Sequence, residues 1–171
     1  IAPLIDKRAL ALAPEQFKAA VFYSISNCQP GLRGVSMGNF LIKRVAEQLK
    51  RELPQVKTFC TLSPIPGFMA WLTKARPESL PAKAQRAHDD LQAACGDDFS
   101  ALTQAARLVA LPGSAHHALW RLAAHYLVDV SPLVHGDPVA RFHLDNGARL
   151  ERLNAQANLS PKGLKQSAGL M

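Results

Sequence analysis

The segment from Ala20 to Phe68 most limits how this chain can fold, because strand-like and helix-like patterns alternate within it. It begins with the apolar run AVFYSIS, passes through a glycine-bearing loop, NCQPGLRGVSMGN, and enters the amphipathic run FLIKRVAEQLKREL. A second apolar run, VKTFCTLS, ends at the chain breaker PIPG. Strand, loop, helix and strand in this order predict a parallel strand pair joined by a right-handed crossover.

The two apolar runs, 20–26 and 56–63, predict strands that are buried on both faces, because their apolar residues are continuous rather than alternating. The run between them predicts a helix with Leu41, Val45 and Leu49 on its apolar face and with Pro54 at its end. Ligands of parallel sheets bind beyond the carboxyl ends of the strands. Both the glycine loop and Ser63 are expected at that edge.

The rest of the chain reads as mainly helical. Residues 66–75 predict a short helix, and the alanine-rich region that follows predicts three more, over 77–95, 99–111 and 114–128. Beyond them the pattern predicts a helix over 138–148 that ends at Asn-Gly, a strand over ARLERLN, and a last helix that starts at Ser160-Pro161.

The charge of the chain calls for an anionic partner. The net charge of +7 and the pI near 9.7 suit nucleic acid, an acidic membrane surface, or a polyphosphate ligand such as a nucleotide or coenzyme A. Aromatic residues make up only 6% and are not interleaved with basic runs, which disfavours a surface for stacking single-stranded bases. No stretch approaches the roughly 20 apolar residues of a membrane span. Three separated cysteines without a CxxC pair indicate a reducing compartment and no disulfide framework.

Three features are candidates for chemistry, and each has a plain structural alternative. The glycine loop can hold a pyrophosphate, with Arg33 adding charge, or it can be an ordinary strand-to-helix turn. Ser63 lies at a predicted strand end, but serine before proline is also a common turn residue. His143 can act as an acid or base, or it can simply be packed. The histidines lack HxH and HExxH spacing, so no metal site is expected.

Three blocks of the sequence resemble the malonyl-CoA decarboxylase family, in the family's order. They are residues 20–68, AHYL together with DPVARFHLDNGA, and SPKGLKQSAGLM; the resemblance covers nearly the whole chain and is weakest through 77–120. It implies a catalytic domain of the acetyltransferase (GNAT-like) fold, an α/β fold with a mixed central sheet flanked by helices. The alanine-rich helical region around 77–130 would be an insertion in that fold. The implied enzyme is a carboxy-lyase that converts malonyl-CoA to acetyl-CoA and CO2, in fatty-acid or malonate metabolism, with no metal or organic cofactor.

The resemblance also assigns residues. The family's serine falls on Ser63, which would orient the malonyl carboxylate, and its histidine falls on His143, which would protonate the enolate. Whether Ser63 also relays a proton stays open. The family's loop for the phosphates of CoA falls on Arg33, Gly34, Val35, Ser36, Met37, Gly38 and Asn39. The family pattern has Trp and Asp where this chain has Ala155 and Asn158.

The resemblance further predicts that residues 1–171 are part of a catalytic domain, without the family's N-terminal helical oligomerisation domain and C-terminal strand. The full-length protein is expected to be a homo-oligomer, a dimer or tetramer, that binds malonyl-CoA but neither nucleic acid nor membrane. Its expected location is the bacterial cytoplasm, or the mitochondrial matrix or peroxisome of a eukaryote. Two alternatives are an acyl-CoA N-acyltransferase of the same fold and a non-catalytic basic module that binds CoA or nucleic acid.

Overall fold

The computed structural model describes residues 6–8, 10, 12–23, 30–32, 38–132 and 136–171; for residues 32, 38 and 39 it describes the backbone only. The chain forms two compact units, an N-terminal unit of residues 2–63 and a C-terminal unit of residues 64–171. The described residues are mostly helical, with a small parallel sheet in the N-terminal unit.

The N-terminal unit confirms the predicted strand, helix and strand. Strand β1 (Ala19–Tyr23) pairs in parallel with strand β2 (Thr58–Leu62), in a register that runs from Ala19 opposite Thr58 to Tyr23 opposite Leu62. Helix α1 (Gly38–Glu52) lies between them in the chain and ends just before Pro54. A short 3-10 turn, Pro14–Gln16, precedes β1, and another, Pro30–Leu32, precedes α1.

The strands are not buried on both faces, so that prediction is wrong. Successive strand residues point to opposite faces, and burial alternates accordingly along β1, where Val21 is 51% and Tyr23 41% exposed. On the other face, the Lys50 ammonium of α1 lies 5.3 Å from the centre of the Phe59 ring, which places the helix over that side of the sheet. Among the described residues, α1 lies over one face of the sheet, and a continuous apolar sequence does not reveal which face is covered.

Helices build the C-terminal unit. They are α2 (Phe68–Leu72), α3 (Ala82–Cys95), α4 (Ala105–Val109), α5 (Gly113–His125), α6 (Pro138–Asp145) and α7 (Pro161–Ser167). Helix α5 continues as a π-helical turn, Tyr126–Val130, and the 3-10 turns Pro77–Ser79 and Ser100–Thr103 precede α3 and α4. The predicted helix over 99–111 is interrupted, because Phe99 has a left-handed backbone (φ 52°) and Gln104 is extended.

The core of this unit lies where α3 packs against α5. Small buried side chains on both helices, such as Ala87 and Ala118, let the two backbones approach closely. Large side chains with no exposed surface complete the core: Phe68, Leu72, Leu91, Leu102, Leu108 and Leu122. Burial of such a side chain contributes about 1.5–3 kcal/mol relative to exposure.

The predicted strand over 148–154 is wrong, since these residues have no regular secondary structure. Leu150 and Leu153 are three residues apart, so a strand could not place both on one face. Leu153 is buried, Leu150 is exposed, and Arg149 forms a surface ion pair of 2.8 Å with Glu151. The run ends at Asn154, which exchanges two backbone hydrogen bonds of 2.7 and 3.1 Å with Met171.

Within the described part of the chain, no helix is long and apolar enough to cross a membrane.

Candidate active site

Most of the loop assigned to the CoA phosphates, residues 33–37, lies outside the described residues. The backbone of its last two members, Gly38 and Asn39, is described, and they begin α1. Backbone N–H groups at the start of an α-helix have no partner within the helix, so this end suits an anion. The helix thus begins two residues earlier than the sequence pattern predicts, since Gly38 and Asn39 are expected in the loop.

Ser63 directly follows β2, as the sequence predicts. It is half-buried and is the last residue of the N-terminal unit. Pro64 follows, so the backbone of Ser63 is restricted to extended conformations.

His143 lies in the last turn of α6, in the C-terminal unit. Its ring is half-buried and meets the Phe142 ring edge to face, with 5.2 Å between ring centres. Desolvation by burial lowers the pKa of His143 below its ordinary value of 6.5. A lowered pKa makes the protonated imidazole a stronger acid but leaves less of it protonated at neutral pH.

Asp137 holds the N-terminal end of α6, the helix that carries His143. Its side chain has no exposed surface, and its Oδ1 accepts hydrogen bonds of 3.0 Å from the backbone N–H groups of Val139 and Ala140. Its Oδ2 accepts a third bond, of 2.9 Å, from the backbone N–H of Gly67. One carboxylate thus caps a helix and ties it to a loop that is distant in sequence.

Two glycines allow the chain to pack closely around Asp137. A Cβ atom at Gly67 would overlap the hydroxyl of Tyr126, and one at Gly136 would overlap the backbone of Ser131. Tyr126 is 3% exposed. Burial and the negative charge of Asp137 together raise the pKa of Tyr126 to about 12, although a hydrogen bond with the Ser131 side chain opposes them.

An open groove with a volume of about 710 Å³ borders this junction. It is lined by Gly67, Trp71, Lys74, Arg76, Tyr126 and Pro138, among others. The two basic side chains make its wall positive. Neither Ser63 nor His143 belongs to its lining, so the groove does not coincide with the predicted catalytic pair.

Sequence reasoning missed Asp137 and Gly67. Asp followed by Pro at the start of a helical pattern is a recognised N-terminal signal, and it identifies Asp137 as a cap. Nothing in the sequence indicates the bond to Gly67, which is 70 residues away. Among the residues that the structure describes, no group of three His, Cys, Asp or Glu side chains could hold a metal ion.

The structure shows the surroundings of the two residues that depart from the family pattern, Ala155 and Asn158. Ala155 lies in an exposed turn. The Asn158 side chain accepts a hydrogen bond of 3.1 Å from the backbone N–H of Ser160, the residue that caps α7. An amide oxygen accepts this bond as a carboxylate would, so the departure at Asn158 preserves the start of α7.

Comparisons with known proteins agree with the resemblance. The model of the malonyl-CoA decarboxylase C-terminal domain matches residues 1–171. The chain is 37% identical over 171 residues to the mitochondrial malonyl-CoA decarboxylase of Anser anser anser, covering 92% of this chain and 34% of that protein. For the mitochondrial malonyl-CoA decarboxylase of Mus musculus the identity is 38% over 172 residues, with 90% and 34% covered. The chain therefore spans about a third of the length of these relatives.

Solved structures give the same result. The malonyl-CoA decarboxylase of Rhodopseudomonas palustris superposes with a TM-score of 0.73 at 45% identity, covering 99% of this chain and 38% of that one. That of Cupriavidus metallidurans superposes with a TM-score of 0.69 at 47% identity, covering 90% and 40%.

Proposed function

The chain belongs to the malonyl-CoA decarboxylase family, and from this premise we propose that the full-length protein converts malonyl-CoA to acetyl-CoA and CO2. The observation that carries the proposal is the match of the family's C-terminal domain over residues 1–171. The order and type of the elements that carry Ser63 and His143 support it.

The protein must assist the reaction at three points. Cleavage of the bond between the α-carbon and the carboxylate releases CO2 and leaves the electron pair on the thioester as an enolate. A proton then adds to the α-carbon to give acetyl-CoA, so one proton is consumed in each turnover. The protein must orient the carboxylate, stabilise the charge on the thioester oxygen, and supply the proton.

Ser63 and His143 are proposed for the first and the last of these tasks. The hydroxyl of Ser63 can donate a hydrogen bond to the carboxylate and hold the breaking bond out of the thioester plane. His143 supplies the proton, and its half-buried ring supports this role. General acid catalysis of this kind contributes about 10²–10⁴-fold in rate.

Residues 33–39 are proposed to hold the CoA diphosphate. The start of α1 at Gly38 supports this, because a helix N-terminus carries partial positive charge. Backbone N–H groups near this loop are proposed to stabilise the thioester oxygen. The net charge of +7 favours an anionic substrate in general.

We extend the proposal to fold and assembly. The parallel pair β1–β2 with its crossover helix supports the GNAT-like catalytic domain, of which residues 1–171 would be one part. A homo-oligomeric full-length protein that needs no cofactor beyond its substrate, with no nucleic-acid partner, stays a prediction. The relatives from goose and mouse are mitochondrial by name. Location in a bacterial cytoplasm, a mitochondrial matrix or a peroxisome is likewise a prediction.

The test is to incubate the full-length protein with malonyl-CoA, without an amine acceptor, and to measure acetyl-CoA and CO2. Release of both supports decarboxylation, whereas acetylation of an added amine without CO2 would support the N-acyltransferase. Steep salt-dependent binding of DNA without turnover would support the basic binding module.

The residue roles need variants. His143→Ala is expected to lower kcat by about 10²-fold or more while the Kd for acetyl-CoA stays near its original value. His116→Ala is the matched control, since His116 lies on α5 and has no proposed role. Near-normal turnover of His143→Ala would contradict the assignment.

A further inference from the structure

The two carboxylate oxygens of Asp137 accept hydrogen bonds from different parts of the chain. Oδ1 caps α6 through the N–H groups of Val139 and Ala140, and Oδ2 binds the N–H of Gly67. Asparagine caps helices about as well as aspartate, so the cap alone does not require a carboxylate. The bond to Gly67 does require a second acceptor oxygen.

Both partners of this bond lie close in the chain to a predicted catalytic residue. Gly67 follows Ser63 by four residues in the chain, and Asp137 precedes His143 by six. His143 lies on the same short helix that Asp137 caps. Within the C-terminal unit, the bond therefore fixes the helix of the predicted proton donor to the loop that precedes α2.

We propose that Asp137 is a positioning residue of the decarboxylase, which sets the placement of α6 and His143 through its hydrogen bond to Gly67. The inference rests on the proposed function. It adds a residue that acts on the reaction through His143, since Asp137 is not itself assigned a contact with the substrate.

The packing around the bond leaves little room for an alternative placement. Tyr126 and Ser131 close the space behind Asp137, and any side chain at Gly67 would meet the Tyr126 hydroxyl. A buried acceptor also binds its donor more firmly than an exposed one, because water cannot replace it. Displacing a reacting group by about 1 Å can cost about 10²-fold in rate.

Asp137→Asn is the discriminating substitution. With the amide oxygen on the N–H groups of Val139 and Ala140, the cap is kept. The amide NH₂ then faces the N–H of Gly67, and two donors cannot bond. The variant thus removes the tie to Gly67 and leaves the helix start intact.

The experiment measures kcat and KM of the full-length protein with malonyl-CoA, and counts binding-competent sites by calorimetric titration with acetyl-CoA. Asp137→Asn is expected to lower kcat per binding site by about 10- to 100-fold, with KM within about threefold of the original value. The control is Ser160→Ala, which removes the hydrogen bond of 3.2 Å that caps α7 in the same unit. It should lower the unfolding temperature but leave kcat per site unchanged.

The outcomes separate the inference from its premise. If the unsubstituted protein releases no CO2, the proposed function fails. If it is active and Asp137→Asn keeps its kcat per site, the positioning role alone is overturned. An equal loss in Ser160→Ala would also overturn it, because general destabilisation would then explain both.

A second variant decides the question if Asp137→Asn does not fold. Gly67→Ala keeps the carboxylate but forces the loop and the Tyr126 side chain apart, which strains the same bond. We expect a lower kcat per site at a nearly unchanged KM, and an unchanged kcat would refute the role of Asp137.

Discussion

The close approach of Gly67 to Tyr126 gives a prediction whose size follows from the packing. In Gly67→Ala the new Cβ would lie well inside 3.0 Å of the Tyr126 hydroxyl, a separation that Cβ atoms essentially never show. Tyr126 is 3% exposed, so making room means displacing a packed ring toward the groove that it lines. Forcing a methyl group into a packed interior typically costs about 1–3 kcal/mol. Because the strain also falls on the bond between Asp137 and Gly67, the upper part of this range is expected.

The hydroxyl oxygen causes the overlap, so its removal should relieve it. When Gly67→Ala is combined with Tyr126→Phe, the new Cβ would lie 3.4 Å from the ring carbon Cζ, which is an ordinary van der Waals contact. The single change Tyr126→Phe should cost about 1 kcal/mol, because the hydrogen bond with Ser131 is lost. The double variant should then be more stable than the sum of the single effects predicts, by about 1–2 kcal/mol.

The assay is thermal and urea unfolding of the full-length protein and its three variants, with hydrogen exchange of the amides of α2 as a local measure. For about 150–250 residues, 1 kcal/mol corresponds to about 2–4 °C in unfolding temperature, and a longer full-length protein would shift by less. Independent sites add within about 0.3–0.5 kcal/mol. Additive effects of Gly67→Ala and Tyr126→Phe would refute the steric argument, as would an unaltered stability of Gly67→Ala.

Three further predictions follow from titration and burial. Burial lowers the pKa of His143, so its protonated form is lost as pH rises through a value below 6.5. If His143 is the proton donor, kcat/KM, which reports the free enzyme, should fall over that window; a midpoint above 6.5 would contradict the lowered pKa, and the same pH profile in His143→Ala would contradict the role. Because the pKa of Tyr126 is about 12, its contribution to stability is fully present below about pH 10 and is lost as pH rises through 12. The difference in phenolate absorbance between the original protein and Tyr126→Phe should therefore titrate near 12, and a midpoint near 10 would show an exposed ring. Leu91→Ala should lower the free energy of unfolding by about 2–5 kcal/mol in denaturant, because Leu91 is fully buried. Val109→Ala, at a half-exposed site, should lower it much less. Equal effects of the two substitutions would contradict the core assignment.

Local sequence signals predicted most of the helices and the two strands of the sheet, although residues 24–26 of the first predicted strand lie outside the described residues. The start of α7 follows from Ser160-Pro161, and the end of α6 follows from Asn146-Gly147, since caps depend on residues a few positions apart. Local signals gave a wrong prediction where the surrounding structure determines the conformation. The run 148–154 looks strand-like by composition, but its two leucines cannot share a face, and no regular structure forms.

The burial of a side chain depends on which elements pack against it, and the local sequence does not determine this. Val21 and Tyr23 belong to a continuous apolar run, yet one face of the sheet holds them in partly exposed positions while α1 covers the other. His143 shows the same limit. Its surroundings in α6 predict neither its half-buried ring nor the lowered pKa that follows.

The sequence by itself determined the family, the parallel strand–helix–strand order and the candidates Ser63 and His143, because blocks of residues and short-range periodicity carry that information. Only the tertiary structure showed that a buried carboxylate, Asp137, joins the helix of His143 to Gly67. The partners of that bond are 70 residues apart. This hydrogen bond forms only because whole helices pack together and two glycines leave room for it. A local sequence pattern predicts neither the packing nor the space.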